Sequence, residues 1–525
     1  MASAGLLLKL SIIRLTYAIH QLKDQMTEVR KLPHKDQLPY ALYRAAQVRE
    51  LDRLAIEQFS IPSLQLMERA GSFAFDLLRR TWPHRKSITV LCGGGNNGGD
   101  GYVVARLAHE AGFTVRLLPM VDEARLQGDA LTNAKACEKL DINVISSLDI
   151  DTDHGVIVDA LLGTGLDRQV EGRWAECIAQ VNSMRTPVLA IDIPSGLNAD
   201  SGAAMGCVVR ADATATFIGL KQGLFTGDGP GCCGEIHFDS LDVPAKLYAS
   251  QILTARRLDW KREKTLLRPL MPTAHKGNQG HLLIVGGDQG TVGATRLAAE
   301  AALRSGAGLV SVATREASCA SIIAGRPEIM AQPIEDPQAL RGLLKRADAI
   351  VVGPGLGQQK WGQSLFDSLC ETELPVLIDA DGLNLLAKQP DRNEKRILTP
   401  HPGEAARLLD CSTAEIASDR IAAAEEIQKR YGGVIVLKGA GSVICYGSGR
   451  RPAICSEGNP GMATAGMGDL LSGVIGSLLV QGYDMASAAE MGVCLHAAAG
   501  DLVARDGMRG MIASDLLPKL RSLLG

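Results

Sequence analysis

The chain has 525 residues, 55 Lys and Arg against 58 Asp and Glu, and a formal net charge of −3 at pH 7. That length exceeds one ordinary hydrophobic core and predicts two domains, while the near-balanced charge and the lack of a long basic run argue against nucleic acid as the main partner. Twelve scattered cysteines without a C-x-x-C pair favour a reducing, cytoplasmic compartment over a disulfide or zinc framework.

Residues 1–39 read as a leader. Met1 to Gln21 is apolar and basic, with Lys9 and Arg14 and no acidic residue before Asp24. Three readings stand: a targeting segment, a disordered leader, or an over-extended start with Met26 opening the chain proper. Lys9 and Arg14 leave the apolar stretch too short to span a bilayer, and no other segment predicts a membrane span.

From Tyr43 to Arg80 apolar residues recur at helical spacing. A strand Ile88–Cys92, a glycine-rich loop, a helix from Gly101 to Ala111 and a strand Thr114–Leu118 follow, which is a β-α-β unit with parallel pairing. Further runs that are apolar throughout lie at 155–160, 187–193 and 213–217, as in a sheet covered on both faces. Charges then cluster from Arg256 to Lys264, and a linker or docking strap is expected at 249–261. Strand–helix alternation restarts at His281 and continues through 309–313, 349–352, 375–378, 396–398 and 434–437 to a small-residue helix from Asp469. The halves 40–248 and 262–525 each hold enough strands for a doubly wound α/β sheet, and they show no mutual repeat.

Gly93-x-Gly95-x-x-Gly98 follows a strand with the spacing of a dinucleotide loop. The acidic ribose ligand expected about 20 residues on is missing, since Arg116-Leu117-Leu118 stands there. Asn96, Asn97 and Asp100 crowd the same loop, and a tight turn capped by Asn and Asp is the bland alternative. Other oxygen-rich strand ends are Asp159 to Gly165, Ile191-Asp192-Ile193-Pro194-Ser195-Gly196 and the Gly219–Gly223 turn. Carboxyl ends of parallel strands meet at one crevice, so these oxygens are expected beside Asn97, as a hard set suited to an alkali or alkaline-earth cation.

In the second half, Gly466-Met467-Gly468-Asp469 opens a helix. Backbone N–H groups there can form an anion hole, and Asp469 is placed to deprotonate a hydroxyl that attacks a phosphate; an N-cap is its structural alternative. Lys438-Gly439-Ala440-Gly441-Ser442 offers a second phosphate-cradling turn, and Gly353 to Gly357 ends another strand. His401, braced between Pro400 and Pro402 at a strand end, is a candidate ligand contact.

The motifs GNNGGDGYV, VDALLGTGL and IDIPSGLNAD over about 40–248 resemble the NAD(P)HX epimerase family, the YjeF N-terminal domain. That resemblance implies a Rossmann-like three-layer sandwich that interconverts R and S hydrates of NADH and NADPH. It implies potassium ligands at Asn97, Asp159 and Ser195, and substrate contacts at Asn96, Asn97, Gly98, Gly99, Asp100, Gly163, Thr164, Gly165 and Asp192. Asp192 is assigned as the proton-transfer group, since epimerisation at a hemiaminal-like carbon requires one.

HKGNQGHLLIVGGDQGTVGA, VVGPGLG, IDADGLNLL, TPHPGEAARLL, VLKGAGS and GNPGMATAGMGDLLSG, in that order over about 270–525, resemble the ribokinase-like ADP/ATP-dependent NAD(P)HX dehydratases. The resemblance implies adenine-nucleotide contacts at Lys438, Gly439, Ala440, Gly441, Ser442 and Gly468, and hydrate contacts at Ala294, Gly357, His401 and Asp469, with Asp469 catalytic. It also implies magnesium with ADP or ATP, NADHX and NADPHX as small-molecule substrates, and a homo-oligomer. A hydroxymethylpyrimidine or thiazole kinase shares the second loop and is the rival reading; a non-catalytic nucleotide-sensing or RNA-associated scaffold is the third.

Overall fold

Runs that are apolar throughout, such as Val156–Ala160 and Ala213–Phe217, form strands buried along their whole length, as a sheet covered on both faces requires. The structure, a computed structural model, describes residues 38–525 apart from 151–152, 370 and 448. The leader expected over 1–39 lies outside the described residues except for Leu38 and Pro39.

In the N-terminal half, seven described strands pair in the order Asn143–Val144, Thr114–Pro119, Ser87–Cys92, Val156–Ala160, Val188–Ile191, Ala213–Phe217, Glu235–Asp239. All of these pairings are parallel. The chain winds outwards from Ser87–Cys92, then returns to its other side at Val156–Ala160. That reversal opens a crevice at the carboxyl ends of the two strands. Successive strand residues face opposite layers. Val90 packs with Leu66, Phe75 and Val104 of the helices Ser63–Thr81 and Asn96–Glu110, whereas Leu91 packs with Ile178 and Val181 of Gly172–Ser183. The expected doubly wound, three-layer arrangement is present.

The helix expected from Gly101 starts earlier, at Asn96. Gly95 is its N-cap, in extended conformation (φ −103°, ψ −168°). Asn96 to Asp100 therefore form a first helical turn rather than a free loop; Gly99 N–H donates to Gly95 O at 3.0 Å, and the N–H groups of Asn96, Asn97 and Gly98 are those a helix N-terminus leaves without an intrahelical acceptor.

In the C-terminal half, Met330–Pro333, Leu309–Thr314, His281–Val285, Ala349–Val352, Val376–Ile378, Arg396–Leu398 and Val434–Leu437 are neighbours in that order, all parallel. Val443–Cys445 and Ala453–Cys455 continue the sheet antiparallel. The helices Val292–Arg304, Met467–Val480 and Met485–Ala504 cover one face, and Lys360–Leu369, Pro402–Leu409 and Arg420–Tyr431 the other.

This sheet does not end with its own half. Ala255–Leu258, inside the segment expected as a linker, pairs parallel with Ala453–Cys455 and antiparallel with Ala41–Tyr43. Leu220–Lys221 then lies parallel to Ala41–Tyr43. Together they complete a sheet of twelve described strands. The charged cluster of the strap supplies the fastening. Arg257 is fully buried, with Nη1 2.8 Å from Asp259 and 2.9 Å from the Ser456 hydroxyl, and Nη2 donating to Leu38 O at 2.9 Å. The Tyr40 ring stacks 4.7 Å from its guanidinium. Among the described residues, no helix is long and apolar enough to cross a membrane.

Removing one partner of a buried ion pair strands the other charge, at a cost of about 3–5 kcal/mol. Arg257→Met is expected to lower denaturant stability by that order, and adding Asp259→Asn to recover most of the loss. Equal stability of Arg257→Met and wild type in urea unfolding would contradict this fastening.

Candidate active sites

The first crevice is built by close backbone approach. A Cβ at Gly98 would lie 2.1 Å from Gly93 O, and one at Gly93 would lie 1.9 Å from Leu161 O. With no side chain at either position, the turn after Ser87–Cys92 can press against the turn after Val156–Ala160. A cavity of about 570 Å³ opens beside them, lined by Asn96, Asn97, Asp100, Gly163, Thr164, Gly165 and Asp192. Gly98 and Gly99 are not among its lining residues; Gly98 faces Gly93, and a Cβ on Gly99 would meet Met67.

Beneath the cavity floor lies a knot of oxygens. Ser195 Oγ donates to Asp159 Oδ1 at 2.6 Å and accepts from Leu162 N–H at 2.8 Å, and Ser195 N–H donates to Asp159 Oδ2 at 2.8 Å. Asn97 donates through Nδ2 to Leu162 O at 3.1 Å, which leaves its Oδ1 buried without a partner. Burial pushes the Asp159 carboxyl up to about 6 despite the hydrogen bonds from Ser195 and Leu161. Asn97, Asp159 and Ser195 thus meet around Leu162, although they come from a helix and two strand ends.

The reactive wall is acidic. Asp192 holds an unusual backbone conformation for a non-glycine residue, φ +64°, which turns its carboxylate back over the strand ends. The ammonium of Lys221, itself fully buried, pairs with Asp192 Oδ1 and also donates to Thr216 Oγ1 at 3.0 Å and Phe217 O at 3.2 Å. Asp52 faces the same cavity from the helix Ala45–Phe59. Burial, then repulsion from Asp192, raises its carboxyl to about 7. Burial, then Asp192 and Asp52, holds Asp100 well above the usual carboxylate range. The arrangement offers one lysine-paired carboxylate opposite two acids that tend to keep their protons.

At the second site, Gly466 at φ +87° starts the helix Met467–Val480 and brings Asp469 to its first turn. Lys438 Nζ donates to Asp379 Oδ1 at 2.6 Å and lies 3.8 Å from Glu404. Ser472 from the same helix donates to Asp379 Oδ2 at 2.8 Å. Burial works to raise the Asp379 pKa, but Lys438 and the hydrogen bonds outweigh it and hold that carboxyl below its usual range. Among the described residues, Asp469 has no such direct donor. Burial, then the negative Asp379, pushes it up to about 6. Burial likewise takes Glu404 to about 7. A Cβ on Gly468 would lie 3.1 Å from Lys438 Nζ, so the helix start sits directly over this wedge.

His401 caps the helix Pro402–Leu409, its Nδ1 accepting from Gly403 N–H at 3.0 Å while Glu404 accepts from His401 N–H at 2.8 Å. Burial, then the Lys438 charge, lowers its imidazole pKa. Gly357, at φ +72°, donates its N–H to Asp381 at 2.9 Å, and Asp381 acts electrostatically on Asp469. Ala294 lies in the first turn of Val292–Arg304. The preceding turn bonds to Gly355 O through Asp288 N–H at 2.7 Å and Thr291 Oγ1 at 3.0 Å. In the nucleotide-type turn, Gly439 and Ala440 are exposed and Ser442 Oγ bonds back to Gly439 O at 3.2 Å.

Asp52, Lys221, Asp379 and Glu404 were not singled out by sequence. Asp52 stands between Val48 and Ala55 on the buried stripe of its helix, where a carboxylate needs a reason. Asp379 and Glu404 sit inside quoted motifs but look there like ordinary strand-end and helix-start residues. Lys221 gave a fainter signal, a lone lysine in an apolar run.

A family model described as NAD(P)H-hydrate dehydratase matches residues 282–521, and one described as YjeF-related protein N-terminus matches 63–223. The chain is 46% identical to the bifunctional NAD(P)H-hydrate repair enzyme Nnr of Coxiella burnetii, over 92% of this chain and 99% of that protein. It is 46% identical to the enzyme of the same name in Escherichia coli, over 93% and 94%. An ADP/ATP-dependent NAD(P)H-hydrate dehydratase from Bacillus subtilis, co-crystallised with ATP/Mg2+, is 30% identical over 51% of this chain and 99% of its own, at a TM-score of 0.46.

Because Asp379 is buried and its carboxylate leans on Lys438, Lys438→Met is expected to lower stability by about 3 kcal/mol or more, and Lys438→Met with Asp379→Asn to restore most of it. A single variant as stable as wild type in chemical denaturation would contradict the wedge.

Proposed function

Since this chain belongs to the bifunctional NAD(P)H-hydrate repair enzymes, we propose that its two acidic sites divide the repair between Asp192 and Asp469. The protein epimerises the R and S hydrates of NADH and NADPH and dehydrates the S hydrate. The observation that carries the division is the contrast between the two sites: a lysine-paired carboxylate beside two acids whose pKa burial raises, in a roomy cavity, and a carboxylate at a helix N-terminus over a lysine wedge.

In the first cavity the hydrate's nicotinamide ring lies against Asp192, with its phosphates towards the first turn of Asn96–Glu110 and the Gly163–Gly165 turn. Epimerisation at the hydroxyl-bearing carbon breaks a bond to that carbon and remakes it on the opposite face. One group must give a proton to the departing atom and another must take it back. Asp192, oriented by Lys221, is the base. Asp100 and Asp52 are the proton donors.

Asn97 Oδ1, Asp159, Ser195 and Leu162 O form an all-oxygen donor set with one orphaned acceptor, which fits a potassium ion. When bound, the cation would supply positive charge beside the cavity. Asn97→Ala is expected to abolish the potassium dependence of the epimerisation rate; a variant still activated by potassium would remove Asn97 from the set.

At the second site, Asp469 takes the proton of the ring hydroxyl, and that oxygen attacks the terminal phosphorus of ADP or ATP. The bond to the leaving nucleotide breaks, giving AMP from ADP or ADP from ATP. The phosphorylated oxygen then departs as phosphate, pushed by the ring nitrogen, and loss of the neighbouring proton restores NAD(P)H. The helix N-terminus at Gly466–Gly468 and the Lys438 ammonium stabilise the charge on the transferred group. Magnesium, held by the nucleotide's phosphates, would offset their negative charge. Asp379 is already engaged by Lys438 and Ser472, so this site needs the phosphates to hold the metal. ADP is the expected donor. The vitamin-precursor kinase reading leaves the first cavity without a role.

Scattered thiols support a cytoplasmic setting. Exposed Leu266, Leu270 and Met271 support a homo-oligomer.

Hydrated NADH with ADP is expected to regain the reduced-nicotinamide absorbance band; no recovery, with phosphorylation of a pyrimidine alcohol instead, would favour the kinase. Asp469→Asn is expected to slow dehydration roughly 10³-fold and leave R/S interconversion intact. Asp469 must be ionised to act as base, and its pKa is raised to about 6. The dehydration kcat is therefore full above that pH and falls about tenfold per unit below it. A flat profile down to pH 4.5 would contradict the assignment.

A further inference from the structure

The short segment after Lys221 runs through the turn Gln222–Phe225 to Thr226 and ends under the nucleotide turn of the other half. Thr226 is fully buried, and its hydroxyl donates to Gly441 O at 3.0 Å. Arg420, the first residue of the helix Arg420–Tyr431, donates from Nε to Thr226 Oγ1 at 3.1 Å. Its Nη2 donates to Leu437 O at 3.1 Å and Lys438 O at 3.2 Å. Both ends of the turn are therefore held: the Lys438 end by the guanidinium and the Gly441 end by the threonine that the same guanidinium orients.

We propose that Thr226, supplied by the epimerase half, and Arg420 are positioning residues that preset the Lys438–Ser442 turn for the adenine nucleotide, so that the dehydratase site is complete only with the other half in place. The inference rests on that turn being the nucleotide contact.

Two further observations support it. Gly441 stands at φ +62°, and a Cβ there would lie 1.7 Å from Phe225 O, so the backbones of the two halves touch at the turn itself. Gly439, at φ +145°, has the Arg420 Nη2 2.9 Å from where its Cβ would be. Arg420 is buried, and its hydrogen-bond partners are carbonyls and a hydroxyl rather than a carboxylate. Burial lowers its guanidinium to about 10. A cation at a helix N-terminus is also unfavourable, so an anion on the exposed face of the turn relieves a charge the fold leaves unmatched. The same segment begins at Lys221, on Asp192; one stretch of six residues touches both sites.

The test uses the full chain with Thr226→Val, which keeps shape and removes the hydroxyl, and Thr226→Ser, which keeps the hydroxyl. In steady-state dehydration, Thr226→Val is expected to raise the KM for ADP about tenfold, equivalent to about 1.4 kcal/mol, with kcat and the KM for the hydrate within twofold of wild type. Thr226→Ser is expected to restore the ADP KM. An unchanged ADP KM in Thr226→Val, or a fall in kcat with both KM values moving together, would overturn the inference. If Thr226→Val does not fold, Arg420→Lys is read the same way. Hydrogen exchange at 438–442 in the wild type distinguishes nucleotide binding at the turn from its positioning by Thr226. Slowing by ADP there supports the nucleotide assignment; no slowing would overturn both. Slowing with an unaltered Thr226→Val KM would overturn only the positioning role.

Discussion

The strand Ala255–Leu258 is the constraint on which the rest of the molecule depends. It hydrogen-bonds to Ala41–Tyr43 on one side and Ala453–Cys455 on the other, so the sheet of the second half runs on into strands of the first. A shared sheet fixes orientation far more tightly than a tether does, because each backbone hydrogen bond sets register as well as distance. Arg257 then locks the joint from inside, where the loss of one partner leaves a buried charge. With that joint in place, the Lys221–Thr226 segment reaches the turn at Lys438–Ser442.

The two glycine-rich, aspartate-bearing stretches look alike in sequence and differ in what stands behind them. Behind Asn96–Asp100 there are carboxylates, one buried lysine on Asp192, and the oxygen knot at Asp159 and Ser195. That setting suits proton transfer and a cation. Behind Gly466–Asp469 there is an ammonium clamped between Asp379 and Glu404, which places fixed positive charge under a helix N-terminus. That setting suits a phosphoryl group. Burial, then the negative Asp379, lifts the Asp469 carboxyl to about 6, into the range a base needs.

Much of this was legible because burial on both faces makes parallel strands continuously apolar; Ala213–Phe217, Ala349–Val352 and Val434–Leu437 announce themselves. Motif order carried the two halves and most cavity-lining positions. The joint was not legible. Ala255–Leu258 contains two arginines in four residues and reads as a charged strap, and only the fold reveals that Arg257 points into a prepared pocket. The early helix start at Asn96 was hidden by glycine and asparagine, which ordinarily mark turns. Asp52 and Lys221 act across tertiary contacts that no local spacing encodes, although a carboxylate on a buried stripe was a usable hint for the first.

If Asp192 and Asp469 serve separate reactions on separate sites, two defective proteins complement each other through free substrate. The decisive measurement is the return of reduced-nicotinamide absorbance from pure R hydrate and ADP, with Asp192→Asn and Asp469→Asn proteins alone and mixed. The account predicts negligible recovery with either alone beyond spontaneous epimerisation, and near wild-type recovery in the mixture. Recovery by one variant alone, or none in the mixture, would contradict it.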